Sequence, residues 1–199
     1  MLCLIILSLI KEAVIHLEPQ NYTLARKTIL FQSGMYNSKH YRIPAVQYLK
    51  DQSIIAVVDQ RVKNANDLPN DIGVVVRRLP PHSTKWSDGY LITGPIRSVG
   101  DGDPAIAIDR KTGTVFCLWS GDRGFWGSQM SSPSNPERVY FSRSYDNGIT
   151  WEERHDITKY IYSDECENCS ETQKEWIAVF VTSGGGIQTR EGRLTFAML

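Results

Sequence analysis

The chain has 199 residues, balances 22 Lys+Arg against 22 Asp+Glu, and is 41% apolar with 10% aromatic residues. That is the composition of a folded domain, and zero net charge removes the electrostatic case for nucleic acid or an anionic membrane surface. No apolar run reaches the roughly 18–20 residues of a membrane-spanning helix, and a chain of this length builds a core without needing metals or disulfides.

Residues 1–17 begin with an apolar block, Met1 to Ile10, closed by Lys11 and Glu12. Its length fits the hydrophobic region of a secretory signal. It fits a buried first strand as well, because no basic residue precedes it and no small-x-small cleavage site follows closely. Two N-x-[ST] triplets, Asn21-Tyr22-Thr23 and Asn168-Cys169-Ser170, tilt the expectation toward a secreted or cell-surface protein.

Strand patterns dominate the rest. Short apolar or β-branched runs recur at Ala45–Leu49, Ser53–Val58, Gly73–Arg77, Ala105–Ile108, Thr114–Trp119, Arg138–Ser142, Ile177–Val181 and Arg193–Met198. Turn clusters such as Lys50-Asp51-Gln52, Asp109 to Gly113 and Arg190-Glu191-Gly192 separate them, and no segment holds a helical period over a dozen residues. The pattern predicts an all-β barrel, sandwich or propeller. Of four cysteines, Cys117 lies in an apolar strand and reads as core. Cys166-Glu167-Asn168-Cys169 stands in a polar segment, where zinc would need two more ligands; a loop-closing disulfide or two inert thiols is expected.

Ser144-Tyr145-Asp146-Asn147-Gly148-Ile149-Thr150-Trp151 matches S-x-D-x-G-x-T-W at every specified position. Gly supplies positive φ to a tight turn, and Asp bonds its own backbone there. A decayed copy ends at Lys85-Trp86. Upstream lie Tyr41-Arg42-Ile43-Pro44, then Asp59-Gln60-Arg61, a loop through Asp67, a returning Arg77-Arg78 strand, and Gly102-Asp103-Pro104-Ala105. In this order the segments resemble the sialidases of bacterial and protozoan type: the Asp box, the R-I-P motif, the D-x-R strand end and the D-P strand. The matching segments run from Phe31 to Leu199. The resemblance implies an all-β, six-bladed propeller, with residues 25–199 supplying about the first three to four blades. The Asp box itself lies on the rim of such propellers and is structural.

The resemblance further implies an exo-α-sialidase, which releases terminal sialic acid from glycoproteins, glycolipids or oligosaccharides with retention, and which meets a membrane only through its glycan substrate. Sialic acid carries a carboxylate on the anomeric carbon, and arginine's planar fork binds a carboxylate bidentately. Arg42 falls on the first arginine of the family's carboxylate site, and Arg61 on an arginine supporting the sugar. Asp103 falls on the N-acetyl and O4 side of the pocket. Asp67 falls on the acid that protonates the leaving oxygen, with Asp71 and Asp59 as rivals. Trp126, beside Phe125 on the Gly-rich Gly121–Gly127 loop, suits sugar stacking. Gln188, after Gly184-Gly185-Gly186, is expected to touch the glycerol tail. Each has a plainer alternative: a rim ion pair for Arg42, a pair with Asp59 for Arg61, a strand-end cap for Asp103, and loop packing for Trp126. The scattered histidines support neither a metal site nor a triad, and no nucleotide motif occurs, so no cofactor is expected. In the family a tyrosine nucleophile with its glutamate partner and further arginines lie beyond the matched segments, so these residues alone are expected to be inactive. A sialic-acid-binding lectin or interaction module, or a trans-sialidase, is the alternative.

Overall fold

A computed structural model describes residues 27–94 and 99–199. The apolar block at residues 1–17, Cys3 and the Asn21 triplet lie outside the described residues.

Four strands, β1 (His40–Tyr48), β2 (Ile54–Arg61), β3 (Ile72–Leu79) and β4 (Tyr90–Thr93), pair in chain order as an antiparallel meander. A second meander follows in β5 (Gly100–Ile108), β6 (Val115–Asp122), β7 (Val139–Ser144) and β8 (His155–Asp156). On its inner edge β9 (Gly184–Gly185) adds to β5 in parallel. The short hairpin of β10 (Ile187–Gln188) and β11 (Leu194–Thr195) comes next, and a one-turn helix α1 (Glu171–Lys174), capped by Ser170, lies before β9.

The two sheets pack face to face. Val57, Val74 and Val76 of the first meet Ile106, Cys117 and Trp119 of the second in one core. Neighbouring residues on the second sheet turn the other way, as a pleated strand requires. Ala105 and Leu118 pack there with Val139, Tyr162, Val179 and Val181, so the 157–183 connection forms a third layer. β2, β3, β5 and β6 are buried along most of their length on both faces, which is why they carry short unbroken apolar runs rather than alternating ones.

The described residues form two four-stranded meanders plus the start of a third unit, against the three to four blades expected. The difference lies in residues 157–183. The Ile177–Val181 run is not a ladder strand; it makes one bridge, Val181 to Met198, and backbone hydrogen bonds from Phe180 and Thr182 to Leu199 and Ala197. Cys166 and Cys169 form a disulfide in the same connection, and Cys117 is buried in the core.

The Asp box joins β7 to β8. Asp146 accepts hydrogen bonds from the Ser144 hydroxyl at 2.8 Å, from the Ile149 and Thr150 amides at 3.1 and 2.8 Å, and from the Thr150 hydroxyl at 2.6 Å. Trp151 then reaches back to the first sheet, its indole donating to the Tyr90 hydroxyl at 2.9 Å, while Tyr90 donates to the Gly148 carbonyl. Arg78 donates to the Asn147 carbonyl at 2.9 Å and pairs with Asp51 at 2.5 Å. Its neighbour Arg77 donates to the Ser87 and Leu30 carbonyls. The Arg77-Arg78 pair is thus structural. The decayed copy at Lys85-Trp86 occupies the corresponding turn of the first sheet, between β3 and β4.

Candidate active site

The site lies at the end of the sheets opposite the Asp box, where β1 and β5 begin and β2 and β6 end. Both inner strands are interrupted there by the same device. The ladder slips between Arg42 and Ala45 in β1, and between Gly102 and Ala105 in β5. At each slip a residue with φ of 60°, Ile43 or Asp103, precedes a proline and an alanine. A β-branched residue in the left-handed region is strained, and such bulges re-aim side chains at functional edges. Here the bulges deliver Arg42 from one sheet and Asp103 from the other.

Arg61, only 1% exposed, is the fixed centre. Its Nε and Nη2 donate to one oxygen of Asp59 at 3.2 and 2.8 Å, and the other Asp59 oxygen accepts the Asp103 amide at 2.9 Å. The far side of the guanidinium faces out: Nη1 reaches Asp67 Oδ1 at 2.7 Å and the Ala65 carbonyl at 2.7 Å. Arg42 closes on the same two acceptors from the rim, with Nη1 at 3.1 Å from Asp67 Oδ1 and 3.3 Å from the Ala65 carbonyl. Two arginines on different strands thus converge on one carboxylate, and both Arg42 and Asp67 are about half exposed.

Burial and the facing charge of Asp103 push Asp59 up to about 7, against the pull of Arg61. Burial also lifts Asp103 to about 6, opposed by Arg61 and Arg42. Carboxyls packed this tightly resist losing all their protons at once.

The rivals for the acid are otherwise employed. Asp59 is fully buried under Arg61, and Asp71 is paired with Lys63 at 2.9 Å. Asp67 alone projects to the surface beside the arginines. Its loop is laced by Asn70, whose side-chain amide donates to Asn64 at 3.0 Å and to the Asn66 carbonyl at 2.9 Å, and by the burial of Leu68. Against it packs the Gly-rich loop. A Cβ at Gly124 would lie 2.8 Å from Leu68, and one at Gly127 would lie 2.6 Å from the Arg123 Cβ and 3.0 Å from Pro69, so the path of this loop requires glycine at both positions. The loop carries Phe125 and Trp126 edge-to-face at 5.4 Å, with Trp126 65% exposed.

Arg42, Arg61, Asp67 and Asp103 are therefore brought together, and the loop that carries the exposed Trp126 packs against the Asp67 loop at Leu68 and Pro69. Gln188 is not among them. It sits at the other end of β5, where its side chain accepts from the Arg110 amide at 2.9 Å and donates to Asp109 at 2.9 Å. Six residues of strand from Asp103 to Asp109 span about 20 Å, so the expected contact with the same pocket is corrected: Gln188 ties the third unit to the β5–β6 hairpin. Asp59, expected as a rival acid or as the partner of Arg61, is that partner, and Asp101 was missed. Asp101 is fully buried and accepts from Arg154 at 3.0 and 3.1 Å and from the Thr93 hydroxyl, linking the two sheets beside the site. The aspartate of Gly100-Asp101-Gly102-Asp103, two residues before the matched one, was its only signal. Among the described residues, no group of acidic, His or Cys side chains could hold a metal ion.

No family model matches the chain. Among curated proteins it is 31% identical over 170 residues to a sialidase of Micromonospora viridifaciens, covering 80% of this chain and 24% of that protein. It is 27% identical over 175 residues to sialidase-4 of Mus musculus, covering 85% of this chain and 34% of that one. The chain thus spans roughly a quarter to a third of the length of these relatives. Among solved structures, the Hadza microbial sialidase Hz136 superposes with a TM-score of 0.70 at 28% identity, over 81% of this chain and 32% of that one. The leech intramolecular trans-sialidase gives 0.71 at 12% identity, which speaks for the fold alone. The two meanders are accordingly blades of a sialidase β-propeller. In sequence and in fold, the chain is similar to the sialidases.

Proposed function

We propose that this chain supplies the carboxylate-binding and proton-donating side of an exo-α-sialidase site acting on terminal sialic acid of glycoproteins, glycolipids or oligosaccharides. The observation that carries the reading is the convergence of Arg42 and Arg61 on the carboxylate of Asp67. A carboxylate already sits where a sialic acid carboxylate would be held, so the fork accepts this chemistry and geometry. An incoming sialoside would take Arg42 from Asp67 and leave the aspartate beside the glycosidic oxygen. Alkoxide is a poor leaving group; Asp67, taking up a proton from solvent once Arg42 has left it, would pass that proton to the oxygen as it departs. Arg61, immobilised by Asp59, would keep its place through the exchange.

Two measurements test this. Saturation-transfer NMR of the 199-residue chain with sialyllactose should show contact to the sialic acid, and Arg42→Ala should abolish it. In a polypeptide extended to the length of its relatives, Asp67→Asn should lower turnover of sialosides with poor leaving groups by about 10²–10⁴-fold and of activated aryl sialosides far less. Equal losses on both substrate types, or a larger loss from Asp71→Asn, would move the acid elsewhere.

A further inference from the structure

The loop that presents Phe125 and Trp126 is closed by a side chain outside every matched motif. Glu137 is 1% exposed. One carboxylate oxygen accepts the Arg123 amide at 2.8 Å, at the loop's start; the other accepts the Ser131 hydroxyl at its end and meets the Arg123 guanidinium at 2.8 Å. Glu137 is itself held from behind: its amide donates to the Ile177 carbonyl at 2.9 Å, and its carbonyl accepts the Tyr162 hydroxyl. Between the two ends, the loop's own bonds are short-range, such as Gly127 amide to Gly124 carbonyl at 3.2 Å and the Gln129 side chain to the Trp126 carbonyl at 2.8 Å. Exposed aromatics gain little packing to fix them, and burying a carboxylate is costly unless it is fully bonded. A loop serving only to join β6 to β7 would not need such an anchor.

We propose that Glu137 is a positioning residue that clips both ends of the Arg123–Ser131 loop and so holds Trp126 as a sugar-stacking wall beside Asp67. The binding half rests on the sialic acid reading above. The chain's preference for sialylated glycans is then set partly by a carboxylate that never touches them.

The test compares Glu137→Gln, Ser131→Ala and Trp126→Ala in the 199-residue chain. Without ligand, trypsin should cut after Arg123 roughly tenfold faster in Glu137→Gln than in the parent, and the fluorotryptophan resonance of Trp126 should sharpen toward its unfolded position. With sialyllactose, affinity in Glu137→Gln should fall to that of Trp126→Ala. If Glu137→Gln does not fold, Ser131→Ala, which removes a single hydroxyl from the clip, should show the same changes at smaller amplitude. An unchanged cleavage rate and resonance would overturn the proposal, as would a loosened loop with unchanged affinity. A parent chain with no sialyllactose affinity would sink the sialic acid reading and the binding half with it, while the protease and fluorine arms still decide whether Glu137 holds the loop.

Discussion

Replacing Asp103 by Asn should make the protein more stable at neutral pH while damaging its site. The backbone accepts the change, because asparagine tolerates the left-handed conformation that Asp103 adopts at φ 60°. Its amide N–H, which serves Asp59, is kept. What the change removes is a buried carboxyl that burial holds at about 6 instead of 3.8. The pKa is raised in the folded state, so its contribution to stability is fully present below about 3.8 and is lost as pH rises through about 6. Complete loss would cost about 3 kcal/mol; solvent at the edge of this 9% exposed residue reduces that to about 1–2 kcal/mol. At 2–4 °C per kcal/mol in this size range, Asp103→Asn should melt about 2–8 °C higher than the parent at pH 7.5 and no higher at pH 4. The difference between variant and parent is the quantity to follow, because Asp109 and Asp146, whose carboxyls are held low, give the parent an opposing trend. Equal destabilisation at both pH values would refute the argument and make Asp103 an ordinary structural carboxylate.

Arg42→Lys should weaken sialyllactose binding about tenfold in titration calorimetry, since a point charge replaces one arm of the fork; unchanged affinity would place the carboxylate elsewhere. Asp146→Ala should cost about 2–3 kcal/mol in urea unfolding, through four lost hydrogen bonds that water partly replaces, and should leave affinity untouched because the turn is at the opposite end of the sheets. Gln188→Ala should likewise leave sialoside contacts in saturation-transfer spectra unchanged, and a lost glycerol-tail signal would restore its expected role.

Features built from neighbouring residues were the legible ones. The Asp box could be read because all the groups Asp146 bonds lie within four residues of it. Arg42 and Arg61 could be read because each stands in a fixed local string. The relation between Ile43-Pro44-Ala45 and Asp103-Pro104-Ala105 was present in the letters, but only the positive φ and ladder slip at both show that they are one device used twice. Glu137 and Asp101 gave too little sign: Glu137 meets Arg123 only because the β6–β7 loop folds back on itself, and Asp101 meets Arg154, 53 residues on, and Thr93 of the other sheet only once the strands are assembled. Gln188 was misplaced for a related reason: a glycine-rich stretch fixes local flexibility but not the end of the sheet on which the chain returns.

The Asp box turn between β7 and β8 is bolted to β3 and β4 by Arg78 and Tyr90. The smallest piece that could be copied, swapped or transplanted between propellers is therefore not one sheet. It is a sheet's closing turn together with the socket on its predecessor. A graft cut at the sheet boundary separates the two halves of that joint: one piece would present Arg78 and Tyr90 without these partners, the other the Asn147 and Gly148 carbonyls and the Trp151 indole. Cutting within the β2–β3 connection instead carries the socket along with its bolt. Circular permutants and chimeras of this fold should tolerate that frame better than the one suggested by strand order alone.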